Sequence, residues 1–481
     1  MLTKIKASGL TPKDITQEMD KYIIGQDAAK KAVAIAFVNR DRRMRIKDEK
    51  LRSEIPPMNV LLFGATGVGK TEIARRVADI SDSPFLKVEM TKFTEVGYAG
   101  RDVDSIIRDL VELTIKREKD KLSKEYSATA KEMAVKYVIQ AIKDTKIKTN
   151  KNILQTLKTT DIQQDKLEKK NKSSDLAEEL PNLNDISEKD LLKGKYDNLD
   201  IAIIVPESAG DKKDLFNNID YGFPGAIGNA TMISIIPLFS FKEGKSNNNM
   251  TKVMKVRDAL EMMTNFYTEK FLNENLVISD ILKKIEQKSV IFLDEIDKLT
   301  SNKENHSKGE VSREGVQRDL LPIIEGTTVQ TKYGPIKTDH ILFIAAGAFY
   351  YNKISDLMPE LQGRFPVNVK LRSLTVEDFE HILTNLKYNL PEQQQNLLKV
   401  DGINIKFTKD GIRAIAEVAN RINSEIENTG ARRLYSVMEK VVEEISFNGK
   451  RGSKLTIDRK YVENAVQKEF DKKIDTKKYT I

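Results

Sequence analysis

The 481-residue chain contains no cysteine and no tryptophan. Without a thiol, disulfides and thiolate zinc sites are excluded. Histidine is nearly as scarce, and His306, His340 and His381 are too scattered to form a metal-ligand cluster. No apolar run approaches the roughly 18 residues needed to cross a membrane. The segment from Met1 to Ile15 lacks the apolar core of a signal peptide, so a cytoplasmic location is expected. A net charge of +8 and a pI near 9.0 invite a nucleic-acid partner. Lysine is, however, interleaved with aspartate and glutamate, and no stretch alternates basic with aromatic residues as a base-stacking surface would. That pattern argues against nucleic acid.

What is present carries more chemistry. Val60-Leu61-Leu62-Phe63 reads as a buried strand and runs directly into Gly64-Ala65-Thr66-Gly67-Val68-Gly69-Lys70-Thr71. Gly64, Gly67 and Gly69, with Val68 between them, allow main-chain N–H groups to face a polyphosphate. Lys70 supplies a cation for its outer oxygens, and Thr71 offers a hydroxyl to Mg²⁺. A helix is expected from Glu72, which completes the cofactor-binding set. Strand, loop and helix in this order point to ATP with Mg²⁺ as cofactors.

Hydrolysis also needs an acidic partner. Val290-Ile291-Phe292-Leu293 is a second apolar strand that ends in Asp294-Glu295. Asp294 is placed to hold Mg²⁺ through its water shell, and Glu295 to polarise the attacking water. Another buried strand is expected at Ile341-Leu342-Phe343-Ile344-Ala345-Ala346, and a helix across residues 313–321. Strands alternating with helices around such a loop imply an α/β fold with a parallel sheet and ligands at its carboxyl edge.

The texture changes after Gly100. Residues 101–193 contain no glycine and one proline, Pro181, amid many lysines. Ile107, Leu110, Val111, Thr114 and Ile115 repeat at helical spacing, as do Ala134, Val138, Ala141 and Ile142. Long helices are expected there, with a solvated or flexible stretch over residues 146–195. Apolar residues return at 201–205, then a glycine-rich piece at 221–229 and an apolar run at 232–241. The chain therefore divides into a nucleotide-binding part, residues 1–110 and 262–372, and a largely helical insertion, residues 111–261. A small, mostly helical C-terminal part follows over 373–481, opening on the capping-box pattern Thr375-Val376-Glu377-Asp378.

Further motifs follow the same order as in the AAA+ unfoldases. They are Tyr22-Ile23-Ile24-Gly25-Gln26, the glycine loop, Asp294-Glu295-Ile296-Asp297-Lys298, Leu361-Gln362-Gly363-Arg364 and Gly430-Ala431-Arg432-Arg433. Thr94-Glu95-Val96-Gly97-Tyr98 and residues 311–322 resemble HslU (ClpY), the ATPase ring of the HslUV protease. The resemblance covers most of residues 10–115 and 270–450 and thins over 115–260.

It implies an AAA+ P-loop ATPase that forms a homohexameric ring, unfolds protein substrates and feeds them to an HslV-type peptidase. Ile24 would then pack on the adenine, Arg364 would act as an arginine finger with Glu360 in the same interface, and Arg432 would serve as second sensor. Gly97-Tyr98-Ala99-Gly100 would be the substrate-gripping pore loop, with Ala99 where the family usually has valine. Tyr479-Thr480-Ile481 would be the tail that docks on the peptidase. Ala346 stands where related ATPases carry a small polar residue. Arg364 has no evident partner within one chain, which fits a role across a subunit boundary. The alternative is a ring ATPase that remodels nucleic acid or protein complexes without a protease.

Overall fold

Five short strands assemble into one parallel sheet: β1 (Val60–Phe63), β2 (Phe85–Glu89), β3 (Val290–Asp294), β4 (Leu342–Gly347) and β5 (Val367–Lys370). Their spatial order is β2-β3-β4-β1-β5. Val60 pairs with Ile344 on one side and Val367 on the other. Helices cover such a sheet on both faces, so its inner strands read as continuous apolar runs rather than alternating ones. Residues 290–293 and 342–346 are accordingly all buried. Because strand order reverses around β1, its carboxyl end opens a crevice between the connections of β4 and β5.

The structure, a computed structural model, describes residues 10–55, 57–94, 101–159, 187–205, 250–273, 275–300 and 313–466. The chain divides into two compact units. One comprises Met1–Glu118 with Ile278–Ile481, and the other is Lys119–Val277.

In the first unit, the helix Lys70–Ile80 starts two residues earlier than the sequence suggested, directly on the left-handed Gly69 (φ 103°). It buries Ile73, Ala74, Val77 and Ala78, the stripe expected of a helix packed on a sheet. Thr375 caps the helix Val376–Thr384 reciprocally with Asp378. Two longer helices follow, Lys409–Glu425 and Arg432–Asn448. A parallel pair, Asn404–Phe407 with Lys454–Ile457, was not foreseen. Each of its strands is only four residues long, too short for alternation to stand out.

In the second unit, residues of the helix Asp104–Thr159 pack with the antiparallel strands Asp200–Val205 and Met250–Lys255 and with the helix Val256–Leu272. Val135, Val138, Ile142, Leu191, Ile201, Ile203, Val256 and Ala259 form its core. The stretch expected to be solvated or flexible, 146–195, is largely helical where it is described. The helix continues to Thr159, and a short helix, Glu188–Leu192, buries Leu191. No glycine or proline falls between residue 104 and Thr159 to interrupt the helix. The runs at 221–229 and 232–241 lie outside the described residues.

Candidate nucleotide-binding and hydrolysis site

The glycine loop joins the carboxyl end of β1 to the helix Lys70–Ile80. Gly64, Gly67 and Gly69 all have positive φ (135°, 69° and 103°). A side chain would be blocked at two of them. A Cβ on Gly64 would lie 2.6 Å from the Leu371 carbonyl, and one on Gly67 2.0 Å from that of Thr429. Val68 turns into the core, 3% exposed, and anchors the loop between its glycines.

The Lys70 ammonium is folded back into this loop. Its Nζ donates to the carbonyls of Gly64 at 2.6 Å and Ala65 at 2.8 Å. Burial pushes its pKa down to about 8, Asp294 and Asp297 oppose that fall, and Arg432 adds to it. Lys70 thus stands within electrostatic reach of the acidic strand end and of the second-sensor candidate. A partly desolvated cation ringed by main-chain dipoles suits a polyphosphate, which would restore its charge.

Across the crevice, Asp294 closes β3. Its Oδ2 pairs with Lys87 of β2 at 2.9 Å, and its Oδ1 accepts the Glu295 N–H at 3.0 Å. Glu295 is left-handed (φ 59°), a conformation uncommon for a residue with a side chain and one that clusters at functional sites. The two adjacent carboxylates have different neighbours, Lys87 for Asp294 and Thr91 for Glu295, so one can serve a cation while the other serves water. Thr91 Oγ1 lies 3.5 Å from Glu295 Oε2. The donor set of Thr71 hydroxyl and Asp294 carboxylate is hard oxygen, which suits Mg²⁺.

Buried Asp297 organises the turn after β4. Its carboxylate accepts the N–H groups of Ala348 at 3.2 Å and Phe349 at 3.4 Å, and its carbonyl accepts the Asn352 amide at 3.2 Å. From this turn the Tyr350 hydroxyl accepts the Thr66 N–H at 3.0 Å. A second segment also reaches the loop. Thr66 Oγ1 donates to the Asn428 carbonyl at 3.1 Å, and the Ala431 N–H donates to the Gly67 carbonyl at 3.0 Å. Arg432 follows at once, exposed in the first turn of its helix.

Family models match this chain over three stretches. A model of the AAA domain (Cdc48 subfamily) matches residues 227–368. The MCM P-loop domain matches residues 1–105, and the ATPase family associated with various cellular activities (AAA) matches residues 60–172. The chain carries AAA+ ATPase domains. The parallel sheet, glycine loop and large helical content are the α/β fold of that class, and the AAA domain indicates nucleotide binding and ATPase activity.

The remaining candidates fall in several places. Ile24 is half-buried, and it is Ile23, 5% exposed, whose side chain comes within 3.8 Å of a Cβ position on Gly69. The Gly25-Gln26 turn is fixed by Arg372: Gln26 Nε2 donates to the Arg372 carbonyl at 2.8 Å, and the Arg372 N–H returns to Gln26 Oε1 at 3.1 Å. Glu72 is bound to its own helix, pairing with Arg75 and Arg76 at 2.6 Å each.

Glu360 and Arg364 lie at the start and end of the short helix Pro359–Gly363, both exposed. The expectation that Arg364 lacks a partner is corrected: it pairs with Glu325 at 2.6 Å. Glu325 closes the helix Arg313–Glu325, a neighbour that spacing in the chain did not disclose. Gly97, Tyr98, Ala99 and Gly100 lie outside the described residues, as do Tyr479, Thr480 and Ile481.

Lys87, Tyr350 and Asn428 escaped the sequence reading. Lys87 left one signal, a charge inside the apolar run Phe85–Glu89. Tyr350 and Asn428 left none. Among the described residues, no group of three His, Cys, Asp or Glu side chains could hold a metal, and no helix is long and apolar enough to cross a membrane.

Proposed function

We propose that the chain is an HslU-type unfoldase: a cytoplasmic, homohexameric ATPase ring that unfolds proteins and passes them to an HslV-type peptidase. The observation that carries the ATP-hydrolysing core of this reading is the desolvated Lys70. It sits inside a glycine loop and within electrostatic reach of Asp294, the residue that precedes the twisted Glu295.

In this reading Lys70 and the loop N–H groups hold the phosphates, and Ile24 borders the base. Thr71 and Asp294 hold Mg²⁺, which when bound offsets phosphate charge. Glu295 accepts a proton from the attacking water, and Arg364 of a neighbouring copy answers charge developing in phosphoryl transfer. The Glu325 pair is no obstacle. Both partners are more than a third exposed, and such pairs are worth only about 0–1 kcal/mol. Glu360 and Arg432 would report nucleotide state to the neighbour and to residues 373–481. Tyr98, flanked by Gly97, Ala99 and Gly100, would grip the client chain, and Tyr479-Thr480-Ile481 would dock on the peptidase.

Mixing the full chain with an HslV-type peptidase and a loosely folded protein tests this directly. ATP-dependent loss of the protein is expected, abolished by trimming Tyr479 to Ile481. Glu295→Gln should keep nucleotide binding while hydrolysis falls by about 10²–10⁴-fold. Normal turnover in that variant removes Glu295 from the role of base. Robust hydrolysis without degradation moves the chain to a ring ATPase that remodels nucleic acid or protein complexes.

A further inference from the structure

One main-chain donor of the phosphate loop is already engaged. Thr66 N–H is held by the Tyr350 hydroxyl at 3.0 Å, across 284 residues of sequence. The phenol is brought there by an unusual turn. Gly347 leaves room that a Cβ would deny, since it would fall 2.5 Å from the Phe349 ring and 2.9 Å from Asp297 Oδ1. Phe349 itself is left-handed (φ 52°), a conformation that needs outside support. The support is on hand. Its N–H and that of Ala348 are taken by Asp297, and its ring stands edge-on to Phe63 with centroids 6.5 Å apart. Phe63 is the last residue of β1, so the turn is braced on the strand that launches the loop. Strain kept at such a place has the consequence of aiming Tyr350.

Thr66 also belongs to a particular end of the loop. Lys70 Nζ rests on the carbonyls of Gly64 and Ala65, the two residues before it. The lysine of such a loop serves the outermost phosphates of a nucleotide. Loop N–H groups bind phosphate oxygens, and a hydroxyl oxygen at hydrogen-bond distance from one of them fills the same acceptor position.

We propose that Tyr350 is a specificity-determining residue of the nucleotide site: its hydroxyl stands at Thr66 N–H in the place of an outermost phosphate oxygen, so that a triphosphate displaces it and a diphosphate leaves it bound. This rests on the ATP-binding reading of the glycine loop. Displacement frees Tyr350 and with it the turn held by Asp297, three residues beyond Asp294. The hydroxyl thereby ties occupancy of the outer phosphate position to the acidic end of β3. It also narrows the preference of the nucleotide-free protein for ATP over ADP, because only ATP must break this bond.

The test is equilibrium binding of a non-hydrolysable ATP analogue and of ADP to the full chain, compared across Tyr350→Phe, Tyr351→Phe and Lys70→Ala. Tyr350 is 56% exposed and Tyr351 95%, so neither loss of a hydroxyl threatens the core. Tyr350→Phe is expected to tighten the triphosphate by about two- to ten-fold, the scale of one neutral hydrogen bond, and to leave ADP unchanged. Tyr351→Phe should alter neither. Weaker triphosphate binding by Tyr350→Phe, an equal shift for both nucleotides, or no shift overturns the proposal. Failure of the ATP-binding reading looks different. The wild-type chain then binds neither nucleotide, or Lys70→Ala binds both as wild type does, and the role of Tyr350 falls with it.

Discussion

Lys70 and Arg40 are both cations drawn out of water onto main-chain carbonyls, at opposite edges of one sheet. Lys70 stands at the carboxyl edge, on the carbonyls of Gly64 and Ala65. Arg40, on the helix Asp27–Met44, donates at 2.7 Å to the carbonyl of Ser289, just before β3 begins, and stacks 4.5 Å from the Phe37 ring centre. Burial pushes the first down to about 8 and the second down to about 10. The difference lies in who supplies the acceptors. Those of Lys70 come from its own loop, five and six residues away, while that of Arg40 comes from 249 residues away. A contact closed within one loop can open without disturbing the fold. A contact that ties a helix to a distant strand cannot. The same chemistry thus gives a ligand site at one edge and a brace at the other.

The sharpest way to break this comparison is to remove each cation in turn. Lys70→Ala should weaken ATP binding by at least about a hundred-fold, since charge-assisted hydrogen bonds are worth roughly 1.5–3 kcal/mol each. Its resistance to urea should not fall, because the substitution also relieves a buried, poorly paired charge. Arg40→Met should do the reverse. It keeps an apolar stem but takes the charged donor from the Ser289 carbonyl, which then retains the Leu342 N–H at 3.1 Å, at a cost of about 1.5–3 kcal/mol. Urea denaturation should record that loss while the ATP dissociation constant stays put. If Arg40→Met weakens ATP binding as strongly as Lys70→Ala, the two edges are not separate in function.

The unequal reach of these contacts also explains what the sequence disclosed. The glycine loop and Asp294-Glu295 were legible because all their chemistry is written in consecutive residues at the end of an apolar run. The capping box at Thr375 was legible for the same reason. Tyr350, Asn428 and Arg372 were not, because each acts on a partner 284 to 362 residues away. Nothing local marks Tyr350 as different from its neighbour Tyr351. Glu325 sits only 39 residues from Arg364 but at the end of another helix, so the pair arises from packing alone. In the inserted region, polarity alone did not say where helix ends, because solvated helix and solvated coil share a composition. The absence of glycine and proline was the better guide.

The smallest expected effect is a pH dependence that only one of the two cations should show. An unperturbed lysine titrates at 10.5, whereas Lys70 in the folded chain releases its proton near pH 8. Between those values the unfolded chain holds a proton that the folded one has lost, so stability of the nucleotide-free protein should climb with pH across that window. Below about pH 8 both states are charged and the cost of burial is constant. ATP reverses the sign, because its phosphates favour the ammonium. Above pH 8 binding must therefore take up a proton, and affinity should fall by up to about ten-fold per pH unit. Arg40 keeps its charge to about 10 and should leave no mark in this range. Titrating binding of a non-hydrolysable ATP analogue from pH 7 to 9.5, in buffers of different ionisation heat, reads both the slope and the proton uptake. Lys70→Arg should flatten the profile, since arginine holds its proton throughout. A wild-type profile that is already flat to pH 9.5 would mean that the Lys70 ammonium keeps its proton in the free protein, and that the ring of carbonyls alone is enough to hold it.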